Sequence, residues 1–150
     1  MNKKISISFL ITVLVLMLTH AVSAFADAEK SVGVLVAADS SPVHKISILE
    51  VRRLYLGLPS SDGLIKETVI NLADPVAYNN FLKNVMHMTD NGYRRKIVKR
   101  IFRQGGRKVN EIQNIAEIVS YLEEHPYAVS FMAEETARKT KTIKVVQVLW

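Results

Sequence analysis

The stretch from Tyr93 to Lys108, YRRKIVKRIFRQGGRK, combines eight lysines and arginines with no acid. Two adjacent glycines near its end, Gly105 and Gly106, let the backbone turn with positive φ and bring amide N–H groups close to a ligand. Arg103 and Arg107 flank this turn, and a guanidinium can hold two oxygens of a phosphate or carboxylate at once. The pattern indicates a site for a small oxyanion, and the alternative is a plain glycine stop that ends a helix.

Two adjacent serines, Ser40 and Ser41, lie between the first predicted strand and the first predicted helix. In an open α/β sheet such a junction is a usual place for ligands, and hydroxyls together with helix N-terminal amides suit an oxyanion. The candidate ligand-binding residues are therefore Ser40, Ser41, Arg103, Gly105, Gly106 and Arg107.

Other chemistry is sparse. Three of the four histidines, His44, His87 and His125, lie after the first 26 residues, on different predicted elements with no second ligand at metal spacing. The chain has no cysteine, and its serines lack a glycine-flanked nucleophile elbow. The pairs Glu123-Glu124 and Glu134-Glu135 are typical of solvated helix surface. The sequence therefore predicts no metal site, no cofactor and no enzyme.

Residues 1 to 26 have the pattern of a secretory signal peptide. Two lysines precede a nearly continuous apolar run from Ile5 to Leu18, and Ala24-Phe25-Ala26 supplies the small residues that signal peptidase reads. An uncleaved anchor is the alternative, because the run approaches the roughly 20 residues of a membrane helix. We expect cleavage before Asp27 and a periplasmic domain of residues 27 to 150.

The mature chain is basic. Without Lys3 and Lys4, 18 of the 20 basic residues remain against 14 acidic ones, a formal charge of +4. This balance favours anionic partners. For an exported protein, anionic lipid headgroups or a small anion fit better than nucleic acid, which we do not expect as a partner.

Apolar periodicity and capping residues predict the elements that position these side chains. Four short apolar runs have strand length: Ser31 to Ala38, Thr68 to Leu72, Tyr127 to Met132 and Ile143 to Leu149. Four capping patterns open helices, at Ser47, Asp74-Pro75, Thr89 and Asn114. The alternation predicts an α/β fold, a single compact domain with a mixed sheet flanked by helices.

The basic helix expected after Thr89 is amphipathic. Its apolar residues fall on one stripe, which we expect to pack on the sheet and to leave the cations outward: Tyr93, Ile97, Val98, Ile101 and Phe102. An ordinary solvated charged face explains the cations as well as an anion site does.

The order and spacing of these segments resemble the short proteins similar to the substrate-binding component of phosphate ABC transporters, within the type II periplasmic binding protein fold. The resemblance runs from about Val32 to Leu149 and is carried by four segments: VGVLVAADSSPVHKIS, ISILEVRRLYLG, IFRQGGR and IAEIVSYLEEHPYAVSFM. It implies one lobe of such a protein, with Ser40 and Ser41 in the first ligand-side loop and Arg103, Gly105, Gly106 and Arg107 in the glycine-containing loop.

The family implies capture of an oxyanion, phosphate in its best-known members, for a membrane permease. This chain has Tyr127-Ala-Val-Ser-Phe131 where the family usually has Gly-Ala-Ile-Gly-Tyr, and its length is that of one lobe. A phosphate on one open face stays partly hydrated and screened, so tight binding would require a partner surface or a homodimer. The expected partners are a phosphate-like anion and an ABC permease or membrane sensor. The alternative is a periplasmic interaction protein that uses the same fold to contact a membrane protein, a sensor or anionic lipid.

Overall fold

The computed structural model describes residues 31–106 and 109–150, apart from the side chain of Gln104. The predicted signal peptide and the candidate residue Arg107 lie outside the described residues. Residues 32–150 form one compact unit. Its strands are β1 (Gly33–Ala38), β2 (Glu67–Asn71), β3 (Asn110–Ile112), β4 (Ala128–Ala133) and β5 (Ile143–Val148).

Helices alternate with these strands along the chain. They are α1 (Ile48–Tyr55), α2 (Pro75–Asn80), α3 (Asp90–Gln104), α4 (Ile115–Glu124) and α5 (Glu134–Lys139), and a π-helical segment (Phe81–Met86) continues α2. The four predicted strands and four predicted helix starts are confirmed, with bounds that differ by at most two residues. Sequence patterns missed β3, α5 and the π-helical geometry.

One five-stranded mixed sheet organises the domain, in the order β3-β2-β4-β1-β5. Strand β2 is parallel to β3 and β4, whereas β1 is antiparallel to both of its neighbours, β4 and β5. Four strands therefore run one way and β1 runs the other way. The carboxyl end of β1 consequently lies at the opposite end of the sheet from the carboxyl ends of β2 to β5.

The predicted helix caps form, although one differs in detail. The Ser47 side chain accepts a hydrogen bond from the Glu50 amide at 3.2 Å, and Asp74 Oδ1 accepts from two amides of the first turn of α2 at 3.0 Å. The Glu50 carboxylate does not complete a capping box, because it accepts instead from the amide and hydroxyl of Ser61 at 2.6 and 2.8 Å. Glu50 thus ties α1 to the loop that follows it.

Both faces of the sheet are covered, as expected for apolar runs without polar alternation. On the first face α1, α2, the π-helical segment and the start of α3 pack on residues such as Leu35 and Phe131. On the second face α4 and α5 pack on residues such as Val34 and Met132. The first core centres on an aromatic cluster. The rings of Phe81 and Phe131 stack with their centroids 4.1 Å apart, and the Tyr55 ring centroid lies 4.7 Å from that of Phe81.

The helix predicted after Asp74 changes to π-helical hydrogen bonding at Phe81 and ends at His87, which adopts a left-handed backbone conformation with φ 54°. Arg52 of α1 donates to the Val85 carbonyl and contacts His87 Nε2. This side chain therefore satisfies a carbonyl where the helix ends, and α3 begins three residues later.

Replacement of Phe81 by alanine should destabilise the domain by about 3–5 kcal/mol, because it leaves a cavity in the aromatic cluster. Phe102→Ala is the matched control, since Phe102 is 83% exposed and its loss should change stability by less than about 0.5 kcal/mol. Urea denaturation followed by circular dichroism gives both values. Equal stability of the two variants would contradict the packing described here.

Candidate functional site

The N-terminal half of the basic helix α3 is firmly anchored. Tyr93 is 2% exposed and its hydroxyl donates to the Tyr55 carbonyl at 2.6 Å. Asp90 accepts from the Tyr78 hydroxyl at 2.5 Å and from Arg94 Nε at 3.0 Å. Arg94 also reaches Glu111 on β3 at 3.2 Å. These contacts fix α3 beside β3, at the edge of the sheet.

The same network shifts the ionisation of its members. The hydrogen bond from Tyr78, followed by the Arg94 guanidinium, holds the pKa of Asp90 below its usual range. Burial, together with the hydrogen bond to Asp90, raises the pKa of Tyr78. Near neutral pH the contact is therefore a neutral phenol donating to a carboxylate, which is the stronger form of this hydrogen bond.

The prediction that the whole apolar stripe of α3 packs on the sheet was wrong. Tyr93 and Ile97 contact the first core, but Val98 is 52% exposed and Phe102 is 83% exposed. Val98 and Phe102 form a row rotated about 100° from Ile97 around the helix. Because α3 lies over the edge of the sheet, where β3 has only three residues, that second row has no strand beneath it.

Cations border this exposed row. Arg95, Lys99 and Arg103 are spaced four residues apart and are exposed on one side of α3. They line a shallow open groove together with Arg94, Val98 and Phe102. The C-terminal half of α3 therefore presents positive charge and apolar surface side by side.

Gly105 and Gly106 form a glycine stop at the end of α3. Gly105 has φ 62°, and the amides of both glycines donate to the Arg100 carbonyl, the second at 3.3 Å. The two amides predicted to face an anion are thus hydrogen-bonded within the helix end. A Cβ on Gly106 would lie 2.7 Å from Arg100 Cγ, so glycine allows the Arg100 side chain to cross this turn.

Arg100 is a residue that the site prediction did not include. Its Nε is buried and has no hydrogen-bond partner within residues 31–106 and 109–150. Arg103 lies one turn further along on the same side of the helix. A buried donor without an acceptor costs about 1–3 kcal/mol, so an acceptor brought by a ligand would be stabilising here. In the sequence, the signal for Arg100 as a site residue was its three-residue spacing from Arg103.

Ser40 and Ser41 differ in their environment. Ser40 is exposed, whereas Ser41 is 4% exposed and its hydroxyl donates to the Pro126 carbonyl at 2.5 Å. The same oxygen accepts from the Val43 amide at 3.1 Å. The Ser41 carbonyl accepts from Lys144 Nζ at 2.5 Å. Ser41 therefore joins the loop after β1 to the segments that precede β4 and begin β5.

The serine pair and the glycine pair are not brought together. Both lie at the end of the sheet where β1 finishes and β3 starts, but β2 and β4 stand between these strands. Three strand spacings amount to about 14 Å. One phosphate-sized ion cannot contact both loops, so a single site built from all the candidate residues is not formed by this lobe.

The opposite end of the sheet carries the carboxyl ends of four strands, which is the usual ligand end of such folds. There Asp74 fills the N-terminus of α2, and Asn114 Oδ1 accepts from two amides at the N-terminus of α4 at 2.8 and 3.4 Å. Glu117 and Glu134 add negative charge in the first turns of α4 and α5. These amides already have acceptors, and the charge there repels an anion.

Within the described part of the chain, no three histidine, aspartate or glutamate side chains converge on a position that could hold a metal ion. The helices of the same residues are too short or too polar to span a bilayer.

Comparison with solved structures finds a similar fold in the crystal structure of an ABC-type phosphate transport receptor from Vibrio cholerae. The TM-score is 0.57 at 13% sequence identity, over 78% of this chain and 46% of that chain. The chain has a periplasmic-binding-protein-like fold. The match spans about half of the receptor's length. No protein-family model and no curated protein sequence matches this chain.

The similarity confirms the predicted α/β architecture and the resemblance at the level of fold. Membership of the short phosphate-binding family stays a prediction, as do the candidate ligand-binding residues.

Ser41→Ala should destabilise the domain by about 1–3 kcal/mol, because the Pro126 carbonyl and the buried Val43 amide lose their partner. Ser40→Ala is the control and should change stability by less than about 0.5 kcal/mol. Thermal and urea denaturation report both values. Wild-type stability of Ser41→Ala would contradict a structural role for this hydroxyl.

Asp90→Asn should lower stability at neutral pH by about 1 kcal/mol, after allowance for solvent screening of a half-exposed carboxylate. Because the folded pKa lies below the unfolded value of about 3.9, the stabilisation is complete above that value and is lost as the pH falls through the folded pKa. Urea denaturation between pH 2 and 7 should show the two proteins converging in acid. Asp39→Asn is the control, and a difference that stays constant with pH would contradict the network.

Proposed function

We propose that this protein is an exported solute-binding-like module that captures a small oxyanion, with phosphate as the first candidate, at the C-terminal end of α3. The proposal is supported by the similarity of fold to a phosphate transport receptor and by the basic composition of the chain. The single observation that carries it is the buried, unpartnered Nε of Arg100 within the described residues, one turn from the exposed Arg103.

Two guanidinium groups three residues apart on a helix can converge on one tetrahedral anion. Because Gly106 lacks a side chain, Arg100 can lie across the turn while Arg103 remains free to move towards the same ion. The C-terminal end of a helix carries partial negative charge, so the arginines must supply the attraction themselves. Arg107 follows the glycines and is proposed as a third donor.

An open site of this kind binds weakly by itself. Water and salt screen a charge pair at the surface, and the chain corresponds to about half of the receptor that it resembles. In this proposal a second surface completes the site, supplied by an ABC permease, a membrane sensor or a second copy of the chain. We propose that residues 1 to 26, predicted to be a signal peptide, direct export to the periplasm, where such a partner is accessible.

The proposal predicts that the purified protein binds inorganic phosphate saturably in calorimetric titrations at low and at moderate salt. The double variant R100A/R103A should bind at least tenfold more weakly, because each charge-assisted hydrogen bond contributes about 1.5–3 kcal/mol. R138A/K139A removes two cations from α5 and should bind like the wild type.

Sulfate serves as the second titrant and distinguishes a shaped site from general attraction to anions. Full phosphate affinity in R100A/R103A would eliminate the proposed site. No heat with either anion, or binding that moderate salt abolishes in the wild type, would refute an oxyanion-binding function.

A further inference from the structure

Six residues line the exposed face of α3, and the proposed oxyanion site uses only the last of them: Arg94, Arg95, Val98, Lys99, Phe102 and Arg103. We call these residues the outer face of α3. Phe102 and Val98 lie one turn apart on it, and they are 83% and 52% exposed. In the described part of the domain no other element covers this row. Contiguous exposed apolar surface rimmed by charged residues is a feature of interaction sites.

Positive charge on the outer face is largely uncompensated. Asp90 and Glu111 pair with Arg94. Across residues 31–106 and 109–150, no acidic group forms an ion pair with Arg95, Lys99 or Arg103. After Asp90, the helix contains no further acid. The outer face therefore favours a partner that carries dense negative charge.

Helix α4, on the other side of the sheet, has the opposite character. Helix α4 packs on the second face and carries Glu117, Glu123 and Glu124 with no lysine or arginine. An extended anionic surface would attract the α3 side and repel the α4 side, so the domain would bind it in one orientation. The outer face is shallow and open. It therefore suits a flat surface better than a protein partner that would insert a protruding side chain into a pocket.

We propose that the outer face of α3 docks the domain onto an anionic lipid bilayer. Phe102, in the last turn of α3, enters the boundary between headgroups and acyl chains, and Val98 lies beside it. Arg95, Lys99 and Arg103 extend their charged ends to lipid phosphates while their aliphatic stems cover the apolar row. This docking goes beyond the proposed function and does not depend on Arg100 or on the glycine turn.

Sedimentation of the purified protein with vesicles of 30% phosphatidylglycerol and 70% phosphatidylcholine tests the docking. We expect binding at low salt that weakens at 150 mM salt, and none to pure phosphatidylcholine. Arg95→Gln with Lys99→Gln should weaken binding about 25-fold, at about fivefold for each cation near an anionic surface. Phe102→Ser with Val98→Ser should weaken it at least fivefold at unchanged charge.

The matched control is Arg138→Gln with Lys139→Gln, which removes two exposed cations from α5 and should bind vesicles like the wild type. Far-UV circular dichroism checks the fold of every variant. All four substituted positions on the outer face are exposed and avoid Arg100 and Arg103, so phosphate titrations of these variants report on the oxyanion site separately.

Absence of wild-type binding to the anionic vesicles would overturn the docking proposal, and so would equal binding by the two outer-face variants and the control. Sedimentation velocity tests in addition whether the protein self-associates. Self-association of the wild type that both outer-face variants lose, without vesicle binding, would assign the outer face to a second copy of the chain and refute the lipid.

Discussion

The burial of β1 on both faces, with antiparallel partners on each side, is the constraint on which the rest of the domain depends. All six of its residues are buried, and its side chains contribute alternately to the two cores. Because it runs against the other four strands, its carboxyl end is separated from theirs. The hydrogen bonds of Ser41 with Pro126 and Lys144 depend on the antiparallel direction of β1, because only an antiparallel β1 ends beside the starts of β4 and β5.

Positive charge in this domain is concentrated where the helix dipoles do not help to attract an anion. The amides at the N-termini of α2 and α4 have acceptors within the chain, in Asp74 and Asn114. Arg100 and Arg103 lie instead near the C-terminus of α3, where the dipole stabilises their own charge. Arginine side chains, rather than backbone amides, are therefore the donors that the domain can offer to an anion.

Most of the architecture was predictable because its signals are local. The capping residues Ser47, Asp74, Thr89 and Asn114 each begin a helix through a hydrogen bond within the next three residues. Strand β3 was missed because its three residues include the exposed Glu111 and have no apolar run. Its pairing depends on β2, which lies about 40 residues earlier in the chain. The missed helix α5 has no side-chain cap and is short.

The candidate site was harder to predict than the fold because it depends on distances between strands. The sequence cannot show that β1 is antiparallel, so it could not show that Ser40 and Ser41 lie at the opposite end of the sheet from the carboxyl ends of β2 to β5. The periodicity of α3 identified an apolar stripe correctly but could not show that the sheet ends beneath Val98. The unpartnered Nε of Arg100 is visible only in three dimensions, across the described residues.

The pairing of β1 also has a consequence for how the chain reaches this state. Gly33 pairs with Ala133 and Val34 pairs with Val148, so the first strand to be synthesised finds its partners in the last two. Such long sequence separations carry a large loop-closure entropy and slow folding. Strand β1 therefore has to wait, with both of its hydrogen-bonding edges open, until β4 and β5 have been made.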